Sequence, residues 1–338
     1  MSKQFISIKE LALALNLSTS TVSRAFRNKD DIHPDTKKLI LEKAKELGYY
    51  PNIYASNLRN SKSRTIAVIM PELANNFFSL AVKGIERVAQ LNGYHTLIYV
   101  TDSLYEKEVE IIEDLYNGRV EGIIMSASGE GNDHRYINKL KSKNIPLVFF
   151  DRVYDDTDYP KVTTDDYESC FKAADYLLDN GCKTLAFLVI DKNVSIGNAR
   201  MKGFEDACAK HNLPEDNALI IDCSNDFDES SSRIRQLLKT RKIDAIIASV
   251  ERLAVAAYTV CLNENIKIPE DIKLISYSNL SIAHLLNPPL STIAQPAENL
   301  GVNAAEILFD ILKGLEPTNK NVILKSDIIQ RKSTQFFR

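Results

Sequence analysis

The stretch Leu17-Ser18-Thr19-Ser20-Thr21-Val22-Ser23-Arg24-Ala25-Phe26 decides how the start of this chain folds. Ser18 is a residue type that caps helices, and Val22 and Phe26 fall on one face of the segment after it. A helix is therefore expected over 19–26. Upstream, Ser7 is an N-cap for Ile8 to Ala14, and Glu10 completes a capping box. Asn16-Leu17-Ser18 separates the two helices. Downstream, His33-Pro34-Asp35 opens a third helix with Pro34 in its first turn. Its apolar positions are read as Leu39, Ile40, Ala44 and Leu47, and Gly48 ends it. Two short helices joined by a tight turn form a helix-turn-helix, with Leu11, Leu17 and Val22 in its core.

Charge separates this segment from the rest. Met1 to Arg64 holds 12 Lys+Arg and 6 Asp+Glu, a net of +6. Subtracting these from the chain totals of 42 and 45 leaves 30 basic and 39 acidic residues, a net of −9, on the remaining body. A basic terminal segment on an acidic body points to a polyanionic partner at one end. The chemistry suits DNA. A helix starting near Thr19 presents its first turn to a major groove, where Thr19 and Ser20 can bond base edges. Arg24 can fork onto guanine O6 and N7 or clamp a phosphate. Ser7, Ser18, Thr21, Ser23 and Asn28 are short polar groups suited to phosphate contacts. For Ser18, simple helix capping is compatible with that role.

From Arg64 onward, strand-like runs alternate with helical ones. Thr65–Met70, His95–Tyr99, Gly122–Met125 and Leu147–Phe150 read as strands, and Leu80–Leu91 and 105–117 as helices. Apolar strands alternating with helices imply a parallel sheet covered on both faces. The pattern then repeats. Thr65-Ile66-Ala67-Val68 is echoed by Thr184-Leu185-Ala186-Phe187, and Gly84-Ile85-Glu86 by Gly203-Phe204-Glu205. Val120-Glu121-Gly122-Ile123-Ile124 is echoed by Ile243-Asp244-Ala245-Ile246-Ile247. Each half is thus expected to form one lobe. Ligands of such sheets bind beyond the carboxyl ends of the strands, so two facing lobes would enclose a cleft; two independent domains are the alternative.

Taken in order, Ile8-Lys9-Glu10-Leu11-Ala12, Leu17 to Ala25, Pro34-Asp35-Thr36 and Leu47 to Asn52 resemble the lactose-repressor/purine-repressor family. Asn75-Asn76-Phe77-Phe78, Phe150-Asp151-Arg152, Arg200 with Gly203-Phe204, and Leu290 to Pro296 are similar to its later blocks. The resemblance runs from Ile6 to about Lys332. It implies an α/β fold: a helix-turn-helix headpiece (1–50), a hinge helix and linker (51–63), and two doubly wound parallel lobes (64–338) resembling a periplasmic sugar-binding protein.

The same resemblance makes 52–59 a hinge helix. Alone it is too short to be stable, and in the family it folds on DNA. Asn52, Ala55 and Leu58 are then further DNA contacts, Leu58 as the wedge in the minor groove. A plain linker is the other reading. In the cleft, the matched positions are Asp151, Arg200 and Gln295, with Phe77 or Phe78 stacked on a sugar ring. Helix capping is the other reading for Asp151, and core packing for both Phe residues.

The sequence departs from the family at two places. In Ala248-Ser249-Val250-Glu251-Arg252, Val250 and Glu251 stand where the family usually has Asn and Asp, and Ser278 replaces a carboxylate in Ser276-Tyr277-Ser278-Asn279. Glu251 and Ser278 are retained as effector-binding candidates, and no particular sugar is carried over.

The resemblance implies a transcriptional regulator, expected to be a repressor, that binds palindromic double-stranded operator DNA as a homodimer or a tetramer of dimers, the dimer being expected here. It also implies a response to a sugar, nucleobase or phosphorylated metabolite, with a sugar expected as the small effector. A cytoplasmic sugar-binding protein without a regulatory role is the alternative. Whether the effector acts as inducer or corepressor is left open. No signal peptide or bilayer-spanning run is read, so a cytoplasmic, membrane-free protein is expected. Cys170, Cys182, Cys208, Cys223 and Cys261 are scattered and read as buried thiols. No GxSxG, phosphate loop, GxGxxG or metal-ligand spacing occurs, and the five His are isolated, so no catalysis, cofactor or metal is expected.

Overall fold

Ser7 Oγ accepts the Glu10 N–H while Glu10 Oε2 accepts the Ser7 N–H at 2.7 Å, and this reciprocal cap starts α1 (Ile8–Ala14). A computed structural model describes residues 6–26, 32–49, 63–117, 119–129, 133–190 and 192–336. Contacts divide the chain between Ser63 and Arg64. In the first unit, α2 (Thr19–Phe26) and α3 (Pro34–Leu47) follow α1. Asn16, at φ 55°, turns the chain between α1 and α2, and Gly48, at φ 66°, ends α3. Leu11, Ala12, Val22, Ala25, Ile40 and Ala44 are the core of this unit, and Leu17 packs against it half-buried. Leu39 was expected on that face but is 53 % exposed. Neighbouring helical residues point about 100° apart, and Ile40 takes the inward direction with Ala44.

The second unit holds two six-stranded sheets. Lobe 1 has β1 (Thr65–Met70), β2 (His95–Val100), β3 (Gly122–Met125), β4 (Leu147–Phe150), β5 (Lys161–Thr164) and β11 (Asn321–Leu324), in the order β11-β5-β4-β3-β1-β2, all parallel. Its helices are α4 (Asn76–Leu91), α5 (Tyr105–Leu115), α6 (Arg135–Ser142) and α11 (Ala297–Leu312). Lobe 2 has β6 (Leu185–Val189), β7 (Ala218–Asp222), β8 (Ala245–Ala248), β9 (Lys273–Tyr277), β10 (Ser291–Ala294) and β12 (Asp327–Ile329), in the order β12-β10-β9-β8-β6-β7, with only β12 antiparallel. Its helices are α7 (Asp166–Asp179), α8 (Ser195–Lys210), α9 (Phe227–Thr240) and α10 (Glu251–Asn263).

Each sheet lies between two apolar clusters. All five cysteines are buried. The edge strand β2 departs from the all-buried reading, with Leu97 and Ile98 exposed. The first lobe-1 helix also starts earlier than expected, because Asn75 Oδ1 accepts the Phe77 N–H at 2.9 Å and caps α4.

The sequence echo has a packing cause. A Cβ on Gly84 of α4 would collide with the carbonyl oxygen of Glu298 in α11, and one on Gly203 of α8 with that of Tyr167 in α7. Each glycine lets two helices touch backbone to backbone.

Contrary to expectation, the halves of the sequence are not the lobes. The chain passes from β5 to α7, returns from β10 to α11, and leaves again from β11 to β12. The C-terminal α11 and β11 complete lobe 1, α11 covering the Gly84 face and β11 pairing with the β5 edge. At these crossings Asp165 N–H donates to Leu324 O at 3.0 Å, and Ser326 N–H donates to Asp165 Oδ1 at 2.7 Å.

Candidate functional site

In the first unit, Ser18 Oγ accepts the Thr21 N–H at 3.1 Å and also lies 2.8 Å from Thr21 Oγ1 and 2.7 Å from Ser20 Oγ. Ser18 therefore caps α2, which leaves the first turn of that helix facing outward. Ser7, Ser18, Thr19, Ser20 and Arg24 are exposed, and Thr21 and Ser23 are half-buried. This places hydroxyls at the N-terminal end of α2 and a guanidinium one turn on. Asn28, Asn52, Ala55 and Leu58, with the expected hinge helix, lie outside the described residues.

In the second unit, the carboxyl ends of β4, β8, β9 and β10 deliver Asp151, Ser249, Ser278 and Gln295 to one cavity. All seven expected effector residues line it: Phe77, Phe78, Asp151, Arg200, Glu251, Ser278 and Gln295. Sequence reasoning missed Glu72, Asn75, Arg152, Ile196, Ser249, Tyr277 and Asn279 in the same wall. For Ser249, Tyr277 and Asn279 the signal was their position just after or at the end of a strand.

The roles of the seven differ. Phe78 is 3 % exposed and meets the edge of Phe150, so it belongs to the core, with Phe77 against it at 5.2 Å. Arg200, also 3 % exposed, donates through Nε and Nη2 to Asp166 Oδ1 at 2.7 and 2.6 Å and through Nη1 to Ser249 O at 2.6 Å. Its guanidinium carbon lies 3.7 Å from the Tyr277 ring centroid. Burial opposes that charge, but Asp166, Tyr277 and Asp151 more than offset it and hold Arg200 above its ordinary range. Gln295 Nε2 donates to Thr164 Oγ1 at 2.8 Å, and Thr164 Oγ1 donates to Asp166 Oδ2 at 2.9 Å. Arg200 and Gln295 are thus joined through Asp166 and Thr164 at two of the interlobe crossings.

Asp151 takes a left-handed backbone, φ 61°, at the end of β4. Such strain in a non-glycine residue is tolerated where surrounding contacts impose it. Its carboxylate accepts from Ser126 Oγ at 3.2 Å, and burial pushes its pKa up to about 6. It caps no helix.

Glu251 and Ser278 bond each other, Ser278 Oγ donating to Glu251 Oε2 at 2.7 Å. Glu251 Oε1 also accepts from Asn76 Nδ2 of lobe 1 at 2.7 Å. Beside it Arg252 of lobe 2 pairs with Glu72 of lobe 1. Ser195 Oγ accepts the Val153 N–H at 3.1 Å, again lobe to lobe. These contacts hold the cleft shut, and the cavity encloses about 50 Å³. Ligand sites usually span roughly 300–1,000 Å³, so a sugar needs the lobes to part.

A wider hollow of about 420 Å³ opens at the opposite strand ends of lobe 2, between Cys182, Asp244, Lys273 and Phe336. Asp244 there already accepts the Lys183 and Thr184 N–H groups at 2.7 and 3.0 Å. Asp175, Asp179 and His211 come together on the lobe 2 surface, but Lys210 Nζ sits 2.8 Å from Asp175. The interlobe cleft is the better site, because polar groups from both lobes converge there.

Residues 63–333 match the family model described as periplasmic binding proteins and sugar binding domain of the LacI family, and residues 7–52 match that of bacterial regulatory proteins, lacI family. The chain belongs to the lacI family of bacterial regulators. The regulator pepR1 of Lactobacillus delbrueckii subsp. lactis is 30% identical, over 99% of both chains. A lac repressor dimer bound to operator and the anti-inducer ONPF has a TM-score of 0.87 at 20% identity, covering 98% of this chain and 99% of that one. A regulator of this family from Enterococcus faecium with bound ribose is 26% identical, with a TM-score of 0.74, over 81% of this chain and 100% of that one.

As a lacI-family member, the chain is a DNA-binding transcriptional regulator with a sugar-binding domain. Relatives of this lacI-family chain include an HTH-type transcriptional regulator of Clostridium saccharobutylicum and an HTH-type transcriptional repressor of Escherichia coli. No helix among the described residues is long and apolar enough to cross a membrane.

Proposed function

We propose that this chain is a cytoplasmic homodimeric repressor, divided into a headpiece (1–50), a hinge (51–63) and an effector body (64–338). Thr19, Ser20 and Arg24 read the operator. Ser7, Ser18, Thr21, Ser23 and Asn28 hold its phosphates, and Asn52, Ala55 and Leu58 act from the hinge in the minor groove. A sugar in the interlobe cavity sets operator affinity. The observation that carries the reading is the convergence of Phe77, Asp151, Arg200, Glu251, Ser278 and Gln295 on one cavity between lobes that are joined by three crossings.

A ligand there acts only through its different affinity for the open and closed lobes. Lobe movement changes the spacing of the two first lobes of a dimer, and with it the pairing of the hinges. The exposed Leu91, Leu97 and Ile98 on lobe 1 support pairing of two copies.

Operator selection from a random duplex pool, followed by gel shifts with sugars titrated in, tests the proposal. Enrichment of a palindrome whose retention changes with one sugar supports it. Failure to enrich any duplex overturns the DNA role, and retention unchanged by every sugar overturns the effector role.

A further inference from the structure

The strands of lobe 2 end at the cleft, and their starts leave a second opening on the other side. Cys182, Asp244 and Lys273 stand before or at the starts of β6, β8 and β9, around the hollow of about 420 Å³. A further hollow of about 410 Å³ adjoins it, sharing Asn180 and Phe336 and reaching Tyr176 and Lys332. The half-buried Phe336 ring is held by the edge of Tyr176 at 6.0 Å and by Lys273 Nζ at 4.6 Å from its centroid. Leu238 and Ile266 are half-buried beside it, over the buried Ile243 and Ile272. The two hollows thus form one groove with an apolar floor.

Charge in this groove runs against that of the body, whose net is −9. Its walls hold Arg241, Lys242, Lys273, Arg331 and Lys332 against Asp244, Glu270 and Asp271. Two of these carboxylates already accept backbone N–H groups, Asp244 from Lys183 and Thr184, and Asp271 from Lys267 at 2.8 Å. Arg331 is likewise engaged, by Leu290 O at 2.6 Å and Thr292 Oγ1 at 3.0 Å. The other four cations are not. Arg241 reaches the Asp216 carbonyl at 3.5 Å, Lys273 faces the Phe336 ring, and Lys242 and Lys332 are exposed. None of the four is in an ion pair with a carboxylate among the described residues.

We propose that this groove docks an acidic segment of another protein. Its Asp and Glu side chains meet Arg241, Lys242, Lys273 and Lys332, and an apolar side chain enters beside Phe336. Cations along a concave, partly dry wall gain more from a carboxylate than those on an open surface, and the apolar floor supplies an anchor. Complementary charge also speeds the encounter and rejects basic partners. A partner seated at the strand starts leaves the cleft at the strand ends open.

Fluorescence anisotropy on the full chain tests this, with a labelled peptide of Asp and Glu around a pair of leucines. The same peptide with Lys for each acid is the control. A saturating DNA duplex is present throughout, because the basic first unit would otherwise attract the acidic probe. The acidic peptide should bind, more weakly as salt rises, and the Lys peptide should not. Arg241→Glu, Lys242→Glu and Lys332→Glu together should weaken it by at least about tenfold, with the melting temperature level because these side chains are exposed. If the reversals lower melting, Gln at the same three positions should still weaken the peptide severalfold. Failure of the acidic peptide to bind, or equal binding by parent and variants, overturns the proposal. So does sedimentation in which the parent self-associates and the triple variant does not, which makes the occupant a second copy. Loss of duplex binding in the triple variant assigns the groove to nucleic acid and overturns it as well.

Discussion

Asn76 of lobe 1 donates to Glu251 of lobe 2 at 2.7 Å, so the two lobes are tied by their own side chains at the cleft. With the Glu72–Arg252 pair next to it, this contact must break before a sugar enters. Partly exposed contacts of this kind contribute on the order of 1 kcal/mol, which is about fivefold in a lobe-opening equilibrium. Asn76→Ala should therefore speed effector association severalfold and raise the radius of gyration of the free protein. Stopped-flow binding and small-angle scattering check this, and unchanged values for both would mean that the tie does not govern opening.

Arg200→Ala is expected to act on stability first. It leaves Asp166 buried and unpaired, which costs about 3–5 kcal/mol. Chemical denaturation of the mutant should show that loss. If its midpoint matches the parent while effector binding disappears, Arg200 serves the ligand alone.

Asp151 gives a pH signature. Its folded pKa of about 6 lies above the roughly 3.9 of an unfolded aspartate. Burial is the larger cause, with Arg152 and Arg200 opposing it and Asp166 reinforcing it. The folded chain then binds more protons than the unfolded one between about pH 4 and 6, so this group's contribution to stability falls as pH rises through that window. The effect is on the order of 2–3 kcal/mol at most. Asp151→Asn should remove the slope and gain stability relative to the parent at pH 7. Parallel denaturation curves for both proteins across the window would count against a buried, neutral-preferring Asp151.

The headpiece separates capping from reading. Ser18→Ala should cost about 1 kcal/mol of headpiece stability, because the Thr21 N–H loses its acceptor. Thr19→Ala with Arg24→Ala should leave melting unchanged and weaken operator binding by about 1–3 kcal/mol per lost base contact. Melting curves beside gel shifts decide it. A headpiece that melts normally and binds operator at parental affinity without Thr19 and Arg24 would remove them from the reading surface.

Gly203→Ala should destabilise the body by about 1–3 kcal/mol despite the better helix propensity of alanine, because the added carbon meets the Tyr167 carbonyl rather than a side chain that can swing away. A neutral or stabilising result in thermal unfolding would show that α7 and α8 can separate freely.

The elements were written locally. Ser7 with Glu10, Ser18 and Gly48 mark helix ends through bonds to their own neighbours, so spacing alone placed α1, α2 and α3. The apolar runs of β1, β3 and β4 likewise carried their own boundaries, and the echoed glycines showed that the helix packing repeats. The order of the matched blocks placed seven residues of the cleft. Other features depended on which segments meet in space. The return of α11 and β11 to lobe 1 pairs Asn321–Leu324 with a strand about 160 residues earlier, and no local pattern records such a partner. The engagement of Arg200 by Asp166, the link from Gln295 to Thr164 and the ties from Glu72 and Asn76 to lobe 2 have the same origin. Charge and hydrogen-bond capacity are properties of a residue, but whether they remain free for a ligand depends on neighbours that only the folded chain brings within about 3 Å.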